Sequence, residues 1–276
     1  ATSLLANGCE IVGLKRKLSS LRRIEAISPK LTLHDVEEVD IPALFNQHKK
    51  IDVVIHTATC YGRNGESIDQ VQEANLTFPL KLIDAAAASG GGLFLNTDTV
   101  LDKFLNPYAL SKGQFKEWGQ YFARQKKIRF LNLRLQHFYG PGDDESKFTA
   151  HIVKYCLANV PELKLTHGEQ QRDFIYIDDV LSAYMLLLSK QASFNENFVE
   201  VEVGSGMAIA IKEFVETAHR LTASTTHLNF GALPYRTGET MFSQADNKAL
   251  QALGWRCHYC IETGLKLVID QERKAS

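Results

Sequence analysis

No charge excess, no membrane-length apolar run and no cysteine framework mark this 276-residue chain. Each absence removes a class of function. Lys and Arg total 31 against 32 Asp and Glu, a formal net charge of -1. That balance gives no electrostatic footprint for nucleic acid or an anionic membrane. No apolar run is long enough to cross a bilayer, and the opening residues carry no signal-peptide pattern. Five cysteines in a chain of this length do not make a disulfide scaffold. Cys257 and Cys260 flank His258 in a lone C-x-x-C, and no second pair completes the four ligands a zinc site wants. The thiols therefore read as those of a cytoplasmic protein, with no metal expected. A further absence concerns the start, "ATSLLANGCEIVGLKRK". Ala1 to Ala6 reads as the back half of a helix ended by Asn7-Gly8, and Ile11 to Leu14 as a buried strand. This is the second step of a βαβ unit without the strand and glycine-rich turn that open one.

Composition is otherwise that of a globular protein, 45% hydrophobic and 23% charged. Short apolar runs at Ile51–Ile55, Leu93–Leu95 and Ile128–Leu135 are separated by helical stretches such as "ESIDQVQEANLTFPLKLIDAAAAS" and "PYALSKGQFKEWGQYFARQKK". Runs apolar on both faces with helices between them predict a parallel sheet covered on both sides, a doubly wound Rossmann-type α/β core. After about residue 140 the alternation loosens. Helices are expected near 146–157, 178–190 and 211–220, mixed with short strands. Residues 1–140 then form the dinucleotide-binding domain. Residues 141–276 form a smaller, interwoven substrate lobe, with some segments returning to the sheet.

Ligands of such sheets sit at the carboxyl ends of the strands, so the residues that follow each apolar run carry the chemistry. "HTATCYG" offers small residues, Ala58 and Thr59, either as a cofactor approach or as an ordinary strand-to-loop turn. In "NTDTV", Thr97 and Thr99 share one face of the strand and could bond a substrate oxygen. In "NPYALSKGQ", Pro107 opens a helix and Tyr108 and Lys112 lie at i and i+4 on one face. An ammonium beside a phenol is expected to lower the phenol pKa from about 10 and make a proton donor usable near neutrality. Arg172 in "GEQQRDFIYIDDV" and Arg236 in "LPYRTGE" suit bidentate phosphate contacts. Salt bridges to Asp173 or Glu239 are an equal reading.

Together, "VVIHTAT", "EANLTFPLKLIDAA", "LFLNTDTV", "PYALSK", "LRLQHFYGPGD", "QQRDFIYIDDV" and "SQADNKALQALGW" resemble, in order, the extended short-chain dehydrogenase/reductases of the NAD-dependent epimerase/dehydratase family. Within it, "ATCYGR", "FLNTDT", "HFYGPGDDESKF", "EQQRDFIYIDD" and "EVGSG" resemble the bacterial branch that makes CDP-abequose and CDP-paratose. The resemblance implies NADPH-dependent reduction of the 4-keto group of a CDP-4-keto-3,6-dideoxyhexose, for the lipopolysaccharide O-antigen. It implies Tyr108 as acid/base, Lys112 as its partner and a holder of the nicotinamide ribose, and Thr97 as the catalytic alcohol with Thr99 second. It implies Ala58 and Asn75 along the cofactor and Arg172 and Arg236 on the substrate pyrophosphate. Lys147 and Phe148 fall where the nucleotide is gripped, and His137 stands where many relatives have Asn. It also implies a homodimer joined through the helix carrying Tyr108, and a missing opening segment of roughly two dozen residues, the length of a strand and Gly-rich turn.

Cofactor choice turns on the residues after the second strand of the unit. An acidic residue there would bind the ribose hydroxyls of NAD, whereas Lys15, Arg16 and Lys17 suit the 2′-phosphate of NADP. A solvated basic loop is the other reading. A sugar-nucleotide 4-epimerase or 4,6-dehydratase is the enzymatic rival, and a catalytically inactive cofactor-binding scaffold the non-enzymatic one. A dehydratase commonly has an acidic pair after the threonine, where this chain has Asp98 then Thr99.

Overall fold

The computed structural model describes residues 1–48 and 51–275. Helix α1 (Thr2–Ala6) closes at Asn7, and Gly8, at φ 76°, turns the chain toward strand β1 (Val12–Lys15). β1 pairs in parallel with β2 (Thr32–Asp35). Helix α2 (Ile41–Gln47) starts where the Asp40 carboxylate accepts the Ala43 amide at 3.0 Å, a capping bond. Strand β3 (Val53–His56) leads through a loop into helix α3 (Ile68–Gln72), which Ser67 and Gln70 open with a reciprocal capping box. A π-helical turn, Glu73–Thr77, joins it to α4 (Phe78–Ala88). Strand β4 (Leu93–Thr99), the long helix α5 (Pro107–Arg124) and strand β5 (Arg129–Leu135) follow.

Past β5 come β6 (His137–Tyr139), α6 (Phe148–Leu157), β7 (Glu162–Leu165), β8 (Gln171–Tyr176) and α7 (Ile177–Ser189). Then β9 (Phe198–Val203) joins the edge of β5, completing a parallel sheet in the order β3-β4-β5-β9. The remaining elements are β10 (Ala208–Ala210), α8 (Ile211–Thr222), β11 (His227–Phe230), β12 (Phe242–Ser243), α9 (Lys248–Ala252) and α10 (Ile261–Ala275). Strands β6, β10 and β12 gather on β8, and β11 pairs with β7.

Alternation along the strands sorts the core into two layers, as a doubly wound fold requires. Phe94 and Phe130 face α5, where Phe115 packs at 5.6 and 5.8 Å from their rings. Leu95, Leu131 and Leu133 face the other way, onto Val180, Ala183 and Leu187 of α7. Gly119 lets α5 settle on the sheet, since a Cβ there would lie 2.3 Å from the Phe130 ring. A third cluster, around Ile152, Phe174, Phe214 and Leu265, fills the C-terminal half.

The fold is the Rossmann-type α/β architecture the strand pattern predicts. Among the described residues, β1 pairs only with β2 and β3 only with β4. Their open edges line one large cleft, with Val12, Gly13 and Leu14 on one side and Val53, Val54 and Ile55 on the other. Among those residues, no helix is long and apolar enough to cross a membrane.

Candidate active site

The cleft measures about 3880 Å³ and runs over the carboxyl ends of β1, β3 and β4 toward β6, β8 and the 233–243 segment. A pocket for one drug-sized ligand is several-fold smaller, roughly 300–1,000 Å³. Its walls include Arg16, Ala58, Thr97, Asp98, Thr99, Tyr108, Lys112, His137, Lys147, Phe148, Arg172 and Arg236. Nearly all residues singled out from the sequence thus meet in one space.

Tyr108 stands in the first turn of α5, whose start Asn106 caps by accepting the Ala109 amide at 2.8 Å. Lys112 follows one turn later, buried at 2% exposure. The sequence predicts a depressed phenol pKa at Tyr108, and the structure reverses it. Burial pushes the phenol well above its ordinary value, Tyr61 and Asp98 add to the rise, and Thr99 and Arg63 oppose it. The phenol's own burial is the largest cause. Burial also pulls the Lys112 ammonium down to about 8, and the Asp98 carboxylate, which favours the charged form, restores only part.

Asp98 is held from below by a row of buried polar side chains in register across the sheet. His56 Nδ1 lies 3.0 Å from Asn96 Oδ1, and Asn96 donates to Asn132 at 2.8 Å. Asn132 donates in turn to both Asp98 and Glu200, each at 2.8 Å. Strand pairing puts His56, Asn96, Asn132 and Glu200 opposite one another, so one rung of the ladder supplies the row. Burial, then the Lys112 charge, pulls the His56 pKa down to about 4 and keeps the ring neutral.

Thr97 and Thr99 share a face of β4 but have different partners. The Thr99 hydroxyl accepts the Leu101 amide at 3.3 Å and opposes the rise in the Tyr108 pKa. The Thr97 hydroxyl lies 2.6 Å from the hydroxyl of Tyr184 on α7. Burial raises the Tyr184 pKa to about 12, against the opposing pull of that bond. Tyr184 carries no signal in the sequence, because 87 residues separate it from Thr97.

Asn75 departs from its expected place on the cofactor wall. It is fully buried in the π-helical turn and sits behind the wall. Its amide oxygen accepts the Cys60 amide at 2.8 Å, and its nitrogen donates to the Cys60 carbonyl at 2.8 Å and to Ser111 at 3.1 Å. Asn75 therefore fixes the loop bearing Ala58 against α5. The extra residue of a π-turn aims it there, a distortion commonly found near functional sites.

The basic cluster after β1 is also divided. Lys15 is paired with Asp35, and Lys17 with Glu38 at 2.6 Å. No carboxylate lies in ion-pair reach of Arg16 among the described residues, and Arg16 lines the cleft. A dinucleotide is consistent with these groups. Ala58 leaves room beside the backbone at the end of β3, and Lys112 offers an ammonium to ribose hydroxyls from the cleft wall.

At the far end, Arg172 is 7% exposed and its guanidinium pairs with Glu239 at 2.5 Å. Arg236 is exposed on the same segment. Lys147 pairs with Asp143 at 3.0 Å and lies 4.1 Å over the Phe138 ring. Phe148 opens α6 with its ring 5.9 Å from Phe214. His137 lines the cleft with its buried Nδ1 unpaired among the described residues. Burial, then the Arg172 and Arg63 charges, brings its pKa down to about 4, so it faces the cleft as a neutral ring. An unpaired buried nitrogen at that position fits a ligand hydroxyl.

The profile of the NAD dependent epimerase/dehydratase family matches residues 1–201. The chain belongs to that family. It is 37% identical over 226 residues to the CDP-abequose synthase of Salmonella typhimurium, covering 79% of this chain and 75% of the relative. It is 32% identical to the CDP-abequose synthase of Salmonella muenchen over 277 residues, covering 98% and 92%. Among solved structures, the UDP-glucose 4-epimerase of Thermotoga maritima with UDP-glucose superposes with a TM-score of 0.85 at 21% identity, over 99% of this chain and 94% of that one. The UDP-glucose 4-epimerase of Thermus thermophilus with NAD superposes at 0.81 and 21% identity, over 100% and 94%. The structural likenesses establish the fold, and the family membership makes the chain an NAD(P)-dependent enzyme.

Proposed function

We propose that this enzyme reduces the 4-keto group of a CDP-4-keto-3,6-dideoxyhexose, with NADPH, to CDP-abequose or CDP-paratose. The observation that carries the reading is that Tyr108, Thr97, Thr99 and Lys112 line the same cleft. The abequose-synthase names of the relatives at 37% and 32% identity supply the substrate class.

When bound, the dinucleotide supplies a hydride to the carbonyl carbon, C4. Tyr108 gives its phenolic proton to the oxygen on which charge develops. Thr99 keeps the phenol oriented, and the Lys112 ammonium offsets the charge left on the phenolate. Thr97 donates a hydrogen bond to the same carbonyl oxygen while its own oxygen accepts from Tyr184. Neutral His137 bonds a sugar hydroxyl, Arg236 and Arg172 hold the diphosphate, and Phe148 and Lys147 border the nucleoside. Arg16 takes the 2′-phosphate that distinguishes NADP from NAD. The reading extends to a cytoplasmic homodimer joined through α5, where Trp118 and Tyr121 are exposed at 42% and 49%.

Incubation with NADPH and CDP-4-keto-3,6-dideoxyglucose tests the reading. One equivalent of NADPH should be oxidised per sugar converted. Conversion without net oxidation would assign a 4-epimerase, and cofactor binding without conversion an inactive scaffold. Asp98, already accepting from Asn132 and buried, is poorly placed to serve as a dehydratase acid.

A further inference from the structure

The loop between β3 and α3 carries a cation that the proposed chemistry leaves unused. Tyr61 packs on Tyr108, ring centres 5.0 Å apart at 47°. The Arg63 guanidinium lies over the Tyr61 ring, 4.9 Å from its centroid. Arg63 is exposed, and no carboxylate lies in ion-pair reach of it among the described residues. The loop holds this shape through Gly62 and Gly65, at φ 68° and 83°, and through the Asn64 amide, which donates to Glu66 at 2.8 Å. The charge reaches inward, acting on Tyr61, Tyr108 and His137 together.

We propose that Arg63 is a positioning residue for the proton transfer, stabilising the phenolate of Tyr108 across the stacked Tyr61 ring. The proposal deepens the reading that Tyr108 is the proton donor and rests on it. An aromatic face turned toward a guanidinium is an attractive contact. The contact therefore holds a positive charge beside the acid/base. The charged or titratable groups that act on the phenol are Asp98 on β4 and Tyr61 and Arg63 on the loop. Asp143 and Asp144 act on Tyr61 from the 140–147 segment, against Arg63.

The sign follows from electrostatics. A cation beside a phenol lowers its pKa, so losing the cation makes Tyr108 a weaker acid that stays protonated to higher pH. Arg63→Gln should cut kcat at neutral pH about three- to tenfold with little change in KM, and leave the basic limb, which Lys112 sets, in place. Arg63→Lys, which keeps the charge, should restore most of kcat. The assay is NADPH oxidation with CDP-4-keto-3,6-dideoxyglucose across pH, with Tyr108→Phe run alongside. An inert Tyr108→Phe with an undiminished kcat in Arg63→Gln overturns the proposal alone. So does a rise in KM at unchanged kcat, which would make Arg63 a grip on a substrate anion, or equal loss in Gln and Lys variants. Turnover retained in Tyr108→Phe overturns the underlying reading, and this proposal with it.

Discussion

Thr97→Val removes one hydroxyl at nearly constant volume and should produce two separable losses. The first is structural. Thr97 Oγ1 lies 2.6 Å from the hydroxyl of Tyr184, a part-buried residue of α7. Leaving that hydroxyl without its partner costs about 1–2 kcal/mol. In a domain of this size that lowers Tm by roughly 2–8 °C. The second is kinetic. A preorganised donor to a developing oxyanion contributes roughly 10²–10³ in kcat, so turnover should fall by that factor while cofactor affinity holds. Tyr184→Phe breaks the same bond from the other side but leaves the Thr97 hydroxyl in place. It should reproduce the thermal loss and cost only about tenfold in kcat, the worth of orienting a neutral hydrogen bond. Thermal melts and steady-state NADPH oxidation on the two variants read both quantities. Wild-type turnover in Thr97→Val would refute the reasoning. Equal loss in Tyr184→Phe would transfer the donor role to Tyr184.

Three further outcomes follow from the charges around the cleft. Asp98→Asn removes the charge that keeps Lys112 protonated, whose pKa already stands near 8. The activity lost as that ammonium deprotonates should then be lost at lower pH, read as a downward shift of the basic limb. His56 and His137 both titrate near 4 when folded, below the 6.5 of the free side chain. The unfolded chain therefore takes up protons first, and stability should fall as pH drops from 6.5 toward 4, by up to roughly 3 kcal/mol for each ring. Urea midpoints against pH check this, and His137→Asn should flatten the slope. Arg16→Ala should weaken NADP at least tenfold more than NAD, by binding titration, because Lys15 and Lys17 are already matched by Asp35 and Glu38.

What the sequence disclosed and what it hid divide along contact distance. Tyr108 and Lys112 share a face because helix geometry puts i+4 above i, and Thr97 and Thr99 share one because strands alternate. The apolar runs at Val53, Leu93 and Arg129 point to the parallel sheet for the same local reason. The partners of these residues are set by tertiary packing and leave no local trace. Tyr184 meets Thr97 across 87 residues, and Glu239 meets Arg172 across 67. The expected fall in the Tyr108 pKa fails for the same cause. Spacing puts Lys112 one turn below the phenol, but only the folded chain shows how deeply the phenol is buried, with Asp98 adding to the rise. Asn75 lies in a π-helical turn, which its sequence does not announce, and is buried behind the wall. Tyr61 and Arg63 stand in "CYGR" without a role, since nothing in that string announces a ring stacked on Tyr108.

Hydride transfer to the sugar carbonyl is the claim on which all of this depends, and isotope labelling addresses it most directly. With NADPH deuterated at the transferring position and CDP-4-keto-3,6-dideoxyglucose as substrate, NMR of the product should show deuterium at C4 of the hexose. The coupling pattern at that centre then distinguishes abequose from paratose. Protium at C4, or a label that stays on the cofactor while the sugar is converted, would contradict the account.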